Sequence, residues 1–369
     1  MSLFYILAAL LMLGVMVTVH EAGHFFAARL TGIPVKEFAI GFGPKLFSWR
    51  SKKHETRFFL RLIPAGGYCM FYGEDDTEGK EAKEDPRSIG KFAVWRRMVT
   101  IFMGPVMNFV LALAVAAALY AGVGEDVGGE FGYAVVQSVS ENTPAAEAGM
   151  QEGDVILSIN GQDAGGLAPE NDQGSTGYML SYLIDSYREG DAPLTVGIDR
   201  NGEMLEKSLI PQYSAAEGRY LLGITIGFQY TPAYAPVSVF RAVALGADYC
   251  VRAAGDILGG LRDLITTGRG LEETSGPVGI IQLIAEETRA YGWLTYAELL
   301  VMISVNLGLF NLIPIPGLDG SRLVFLLIEG VRRKPVPRKV EAYVHMSGYL
   351  ILMALMIVMT YKDILKIFR

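Results

Sequence analysis

Three of the residues best suited to chemistry fall within five positions: His20, Glu21 and His24, in the run Val19-His20-Glu21-Ala22-Gly23-His24. Histidines four apart leave one face of a helix one turn apart. Both imidazoles can then ligate one zinc ion, and Glu21 beside them can act as general base on a water bound there. The surroundings are those of a membrane span, since Leu3 to Val19 holds no charged residue and Phe25-Phe26-Ala27-Ala28 follows. Counting from Leu3 at 1.5 Å per residue, His20 lies roughly 25 Å along a helix, near the far side of a ~30 Å hydrocarbon layer. Ionisable groups at that depth are costly and functional by default. The absence of Lys or Arg before the apolar run, and of a small-residue cleavage site after it, argues against a cleaved signal peptide.

A zinc site of this kind needs a third protein ligand. The run Asn311-Leu312-Ile313-Pro314-Ile315-Pro316-Gly317-Leu318-Asp319-Gly320 ends a later apolar stretch. Its two prolines and two glycines break the helix, which at membrane depth is tolerated only where protein or a water-filled cavity satisfies the backbone. Asp319 is the one candidate beyond the first helix to complete a His₂-carboxylate set, leaving a fourth position for water. Alternatively it caps a half-helix over residues 320–329; the unpaired zinc motif upstream favours the ligand. Asn311 can hydrogen-bond a substrate backbone or the reacting carbonyl. In Gly104-Pro105-Val106-Met107-Asn108, Gly104 permits close helix approach, and Asn108 is either interhelical glue or a donor to the site, with spacing favouring glue.

The elements that must position these residues follow from composition. The chain has 369 residues, 51% hydrophobic and 19% charged, with a mean hydropathy of +0.31, so it reads as a polytopic α-helical membrane protein of about four spans. A net charge of −7 argues against a nucleic-acid partner. Cys69 and Cys250 follow no metal-ligand spacing and indicate no disulfide framework. The expected order is a first span with the zinc motif over 1–31, a membrane-associated β-hairpin region over 32–97, and a second span over 98–123. A globular insertion over 124–230, an interfacial amphipathic helix region over 231–296 and a third span with the broken helix over 297–330 come next. A loop over 331–343 and a fourth span with its tail over 344–369 complete it. Basic residues of the segments 36–61 and 332–339 mark the cytoplasmic side, which puts the N-terminus and the insertion outside. The hairpin is expected from strands near 37–43 and 56–62, either cytosolic or re-entrant toward the site.

The insertion combines short strands with turns. Its stretch Ser140 to Gly161 resembles the S-x-x-x-P-A-x-x-A-G-h-x-x-G-D-x-I-x-x-I-N-G pattern of PDZ domains, and Tyr220 to Ile226 resembles the peptide-binding edge of a circularly permuted module. With H-E-x-x-H in the first span and N-x-x-P-x-P-x-L-D-G in a later one, the chain resembles the site-2 protease family of intramembrane zinc metalloproteases, RseP-type. The resemblance covers nearly the whole sequence. It implies Zn²⁺ held by His20, His24 and Asp319, Glu21 as catalytic base, and Asn311, Asn108 and Gly104 close to the substrate. It implies a protease of the bacterial cytoplasmic (inner) membrane that cuts transmembrane segments, either of anti-sigma-factor-like proteins or of signal-peptide remnants, with a hairpin that pairs with unwound substrate. This chain carries one PDZ-like module where well-known bacterial members carry two. The competing classes are a catalytically silent membrane scaffold presenting a PDZ domain, which the intact Glu21 opposes, and a metal transporter, whose ionisable groups would be spread along several spans.

Overall fold

The computed structural model describes residues 2–52, 55–74, 85–128, 130–164, 180, 182–184, 186–214, 218–231, 233–268 and 275–367. The charged composition of 74–87 indicates a solvated loop, of which 75–84 lie outside the described residues, as do 178, 179, 181 and 185 of a helix expected over 178–186. The chain divides into two units, Met1–Gly122 with Val237–Arg369, and the inserted Val123–Pro236.

In the first unit, α1 runs Leu3–Thr31 and ends at Gly32, whose left-handed conformation lets its N–H bond the Ala28 carbonyl. Its buried residues, Ala9, Met12, Met16, His20, Gly23, His24 and Ala27, recur every three or four positions, one stripe facing protein. The opposite face, with Leu7, Leu11 and Val15, is exposed for lipid. Strands β1 (Val35–Arg50) and β2 (Arg57–Phe71) follow, longer than the sequence pattern indicates. Both bend, at Gly41 (φ +85°) and Gly66 (φ +132°), conformations glycine takes at little cost. Residues 37–40 therefore lie between residues 57–60 and 67–70, while 45–50 continue alongside 57–61. The free edge of 67–71 pairs with no other strand among the described residues.

Helix α2 (Val94–Val123), α3 (Val239–Thr267), α4 (Pro277–Tyr291), α5 (Trp293–Leu312), α6 (Asp319–Arg332) and α7 (Arg338–Ile367) complete the unit. Among the described residues four helices are long and apolar enough to cross a membrane: α1, α2, α5 and residues 339–365 of α7. Association of such helices gains nothing from excluding water and depends on close packing by small residues. At the α1–α2 crossing a Cβ on Gly23 would come within 2.2 Å of the Met103 carbonyl oxygen, so the two backbones touch. Polar ties join the helices elsewhere. Tyr296 of α5 donates to the Ala8 carbonyl at 2.9 Å, and Asp363 of α7 accepts from the Gly276 and Gly279 N–H groups at the start of α4, at 3.2 and 2.7 Å. The last turn of α5 stops before Pro314 and Pro316, and α6 begins at Asp319.

The inserted unit is an antiparallel sheet. With β3 (Glu130–Val139), β4 (Val155–Ile159), β5 (Gln162–Asp163), β6 (Leu194–Arg200), β7 (Glu203–Leu209) and β8 (Ile224–Thr231), the order is β8-β3-β4-β6-β7, with β5 added to β4. Period-two burial of Leu194, Val196 and Ile198 turns one face inward. These side chains meet Val136, Ile156, Ile159 and Leu209 in a water-excluding core, where each fully buried Ile, Leu or Val contributes roughly 1.5–3 kcal/mol. Asn201-Gly202, both at positive φ, closes the β6–β7 hairpin.

Candidate metal centre and catalytic cavity

The H-E-x-x-H residues sit on the inner stripe of α1, and Asp319 reaches them from the first turn of α6. His20 Nε2 lies 3.0 Å from Asp319 Oδ2, His24 Nε2 lies 3.3 Å from the same oxygen, and the two Nε2 atoms are 3.2 Å apart. Two donors about 2.05 Å from one ion at a tetrahedral angle are about 3.3 Å apart. The three atoms are thus spaced as three corners of a zinc tetrahedron, and both histidines are buried. The donor set fits zinc. Gly320 makes the approach possible, because a Cβ there would lie 2.5 Å from the Leu312 carbonyl oxygen and 2.3 Å from that of Ile313.

The remaining ring nitrogens are also engaged. His24 Nδ1 donates to the Thr100 carbonyl of α2 at 2.9 Å, leaving Nε2 free to ligate. Pro105, one turn on, has no N–H for the carbonyl of Ile101, the residue after Thr100. His20 Nδ1 lies 3.1 Å from Asn108 Nδ2, and the buried Asn108 Oδ1 has no partner. Turning that amide end for end sets Oδ1 against His20 Nδ1, which then donates and leaves its Nε2 lone pair for a metal. Asn108 itself is held by Ser304 of α5, whose hydroxyl donates to its carbonyl at 2.9 Å. Gly104, one turn earlier, clears space for the rings, since a Cβ there would be 2.3 Å from His24 Cε1 and 3.0 Å from His20 Nε2.

A cavity of about 530 Å³ opens on the other side of the cluster, lined by His20, Glu21, His24 and Asp319, by residues 68–71 of β2, and by Asn311 and Arg322. Glu21 borders this space, with its Cγ 3.7 Å from where a Cβ on Gly67 of β2 would stand. Asn311 lines the cavity while its Nδ2 donates to the Leu307 carbonyl at 2.9 Å. Asn108 and Gly104 stand behind the histidines and are not among the residues lining the cavity. Arg322 of α6, one turn past Asp319, donates to Glu74 Oε1 at 2.9 Å, and Glu74 Oε2 accepts the Phe71 N–H at 3.0 Å. The end of the free strand edge is thereby tied to the helix that carries Asp319. His345 of α7 accepts the Gly317 N–H through Nδ1 at 3.3 Å and buttresses the broken-helix turn. Sequence reasoning missed Thr100, Glu74 and Arg322. A backbone carbonyl acceptor has no sequence signature.

Residues 8–355 match the family model described as peptidase family M50. A protein of Clostridium acetobutylicum, named as a zinc metalloprotease, is 32% identical over 364 residues, spanning 99% of this chain and 98% of the relative. The regulator of sigma-W protease RasP of Bacillus subtilis is 31% identical over 444 aligned positions, 98% of this chain and 99% of the relative. The zinc metalloprotease RasP of Bacillus licheniformis is also 31% identical, with the same coverage. Among solved structures, a PDZ domain of an SdrC-like protein from Listeria monocytogenes aligns with 26% of this chain and 86% of that domain at 22% identity, with a TM-score of 0.21.

Proposed function

The chain belongs to peptidase family M50 and is an intramembrane zinc metalloprotease of the site-2 type; we propose that His20, His24 and Asp319 hold its zinc and that Glu21 is its general base. The convergence of three ligand atoms beside Glu21, at the wall of a cavity bounded by a free strand edge, carries this reading. Bound zinc supplies Lewis acidity toward water and toward a peptide carbonyl. Glu21, on the cavity side, takes the proton from the attacking water and returns it to the leaving amine. Asn311 is placed to hydrogen-bond the substrate backbone or the reacting carbonyl. Asn108 and Gly104 act from behind the histidines, the first by orienting His20 and the second by leaving room for both rings.

A helical substrate hides its carbonyls in i to i−4 hydrogen bonds and must unwind before attack. Residues 67–71 offer the unwound segment a strand edge to pair with, which offsets the lost helical bonds. The substrates are transmembrane segments of membrane proteins, either anti-sigma-factor-like proteins or signal-peptide remnants. The first fits the name of the B. subtilis relative, a regulator of sigma-W. The enzyme lies in the bacterial cytoplasmic membrane with the basic segments 36–61 and 332–339 inside and the inserted unit outside. That unit is PDZ-like, a reading supported by the Ser140–Gly161 pattern and by the free outer edge of β8.

The test pairs metal with turnover. Zinc per chain and cleavage of a reporter transmembrane helix are measured for the wild type, Glu21→Gln, His24→Ala and Asp319→Ala. Glu21→Gln is expected to keep zinc and lose cleavage, and the two ligand variants to lose both. Retention of stoichiometric zinc by Asp319→Ala would remove that residue from the ligand set.

A further inference from the structure

The outer half of the β1–β2 ribbon has two chemically different faces, and of their residues only Arg61 touches the wall of the catalytic cavity, through the Tyr68 hydroxyl at 2.9 Å. One face is aromatic. Trp49 stands opposite Phe58 and Phe47 opposite Leu60 in the strand register. Trp49 stacks on Phe58 with ring centroids 4.9 Å apart and planes 9° apart, Phe47 lies 5.8 Å from Trp49, and Phe58 lies 5.7 Å from Phe25 of α1. The row therefore starts on a membrane-spanning helix and runs outward along the ribbon. Beside its start, Phe26 and Leu30 of α1 are exposed to 57% and 89%, and farther out Phe47 and Trp49 are exposed to 62% and 49%. The apolar strip is continuous with the lipid-facing surface of α1.

The other face is cationic, and its charges oppose one another. Arg50 stands across from Arg57, and like charges placed directly opposite on paired strands destabilise a sheet; Lys45 stands across from Arg61, whose guanidinium is held by the Gly43 carbonyl and the Tyr68 hydroxyl, each at 2.9 Å. Glu55 approaches Arg50 only at 3.6 Å, with both side chains more than half exposed. Between positions 45 and 61 the sequence carries six basic residues (Lys45, Arg50, Lys52, Lys53, Arg57, Arg61) and one acidic residue, Glu55. An anionic surface on this side relieves the repulsion. Aromatic rings belong at the boundary between headgroups and acyl chains, and clustered Lys and Arg are drawn to anionic leaflets.

We propose that residues 42–52 and 55–63 form an amphipathic β-ribbon that docks on the anionic phospholipid surface beside α1, with the Phe47–Trp49–Phe58 face in the acyl boundary and Lys45, Arg50 and Arg57 on the headgroups. Docking fixes the outer ribbon and, through the bends at Gly41 and Gly66, the free edge of residues 67–71. The role is separate from the metal chemistry and is tested without it.

The experiment uses the full chain carrying Trp95→Phe and Trp293→Phe, which leaves Trp49 as the one tryptophan. It is reconstituted in nanodiscs of phosphatidylcholine alone or mixed with phosphatidylglycerol, each with brominated acyl chains. Trp49 is expected to be quenched by the bromolipid, more strongly with phosphatidylglycerol, and to be shielded from acrylamide. Adding Arg50→Gln and Arg57→Gln is expected to abolish the gain from phosphatidylglycerol. Trp49 open to acrylamide and untouched by bromolipid would overturn the proposal. Shielding without bromolipid quenching would also overturn it, by showing that another protein surface, such as a second copy, covers the ribbon. Equal quenching in both lipid mixtures would overturn the assignment to anionic headgroups.

Discussion

A histidine ligates through one nitrogen only if its other nitrogen is held in the right protonation state, so the partners behind the ligands matter almost as much as the ligands. His24 has a fixed backbone acceptor in the Thr100 carbonyl, which no side-chain substitution removes. His20 depends on the Asn108 amide, buried with one oxygen unpartnered. The two rings should therefore differ in vulnerability. Asn108→Leu leaves His20 Nδ1 facing a hydrocarbon and is expected to weaken zinc binding about 10- to 100-fold. Asn108→Asp, which retains an acceptor, is expected to lose much less. Chelator competition on the purified protein reads this directly, and unchanged affinity in Asn108→Leu would reduce Asn108 to helix packing, which spacing alone had favoured.

Between α5 and α6, the six residues 313–318 convert a membrane helix into a ligand-bearing turn. The two prolines end α5, and Gly320 lets the first turn of α6 press against the Leu312 and Ile313 carbonyls. Gly320→Ala places a methyl group about where those oxygens stand, an overpacking that typically costs 1–3 kcal/mol. The strain falls on the residue next to Asp319. The expected result is a folded protein with reduced zinc occupancy although no ligand has been touched; full occupancy would mean that the turn relaxes without moving the carboxylate. This break was legible in the sequence, as was the H-E-x-x-H stripe, because prolines, glycines and intramembrane charges each have one dominant physical meaning. The ribbon was less so. Its strands appeared as seven-residue pieces because the bends at Gly41 and Gly66 interrupt the apolar pattern, yet the backbone pairing runs on through them. The Arg322–Glu74 tie was hidden for another reason: it joins positions 248 apart, and nothing local marks either residue.

The whole molecule combines two kinds of stability. The unit made of Met1–Gly122 and Val237–Arg369 holds its helices by backbone contact and polar ties, with lipid as solvent for its outer faces. The unit Val123–Pro236 relies on a core of Val, Ile and Leu under one sheet and on one buried ion pair. In that pair Arg200 reaches both oxygens of the fully buried Asp154 carboxylate, at 2.6 and 2.7 Å, and Asp154 also accepts the Gln151 N–H at 2.9 Å. Burial alone would raise the Asp154 pKa, but the guanidinium and the backbone donor outweigh it and hold the carboxyl below the usual range. A carboxyl whose folded pKa lies below its unfolded value, near 3.9, adds stability in full above about pH 4. That contribution fades as pH falls through the folded value. Acid is therefore expected to loosen the inserted unit, and Asp154→Asn to be less stable at neutral pH with a flatter response below pH 4. Trp49, Trp95 and Trp293 all belong to the other unit, so hydrogen exchange of peptides spanning 150–200 is the measurement that isolates this one. Exchange that accelerates equally in wild type and Asp154→Asn as pH falls, after correction for intrinsic rates, would show that another group governs the acid response.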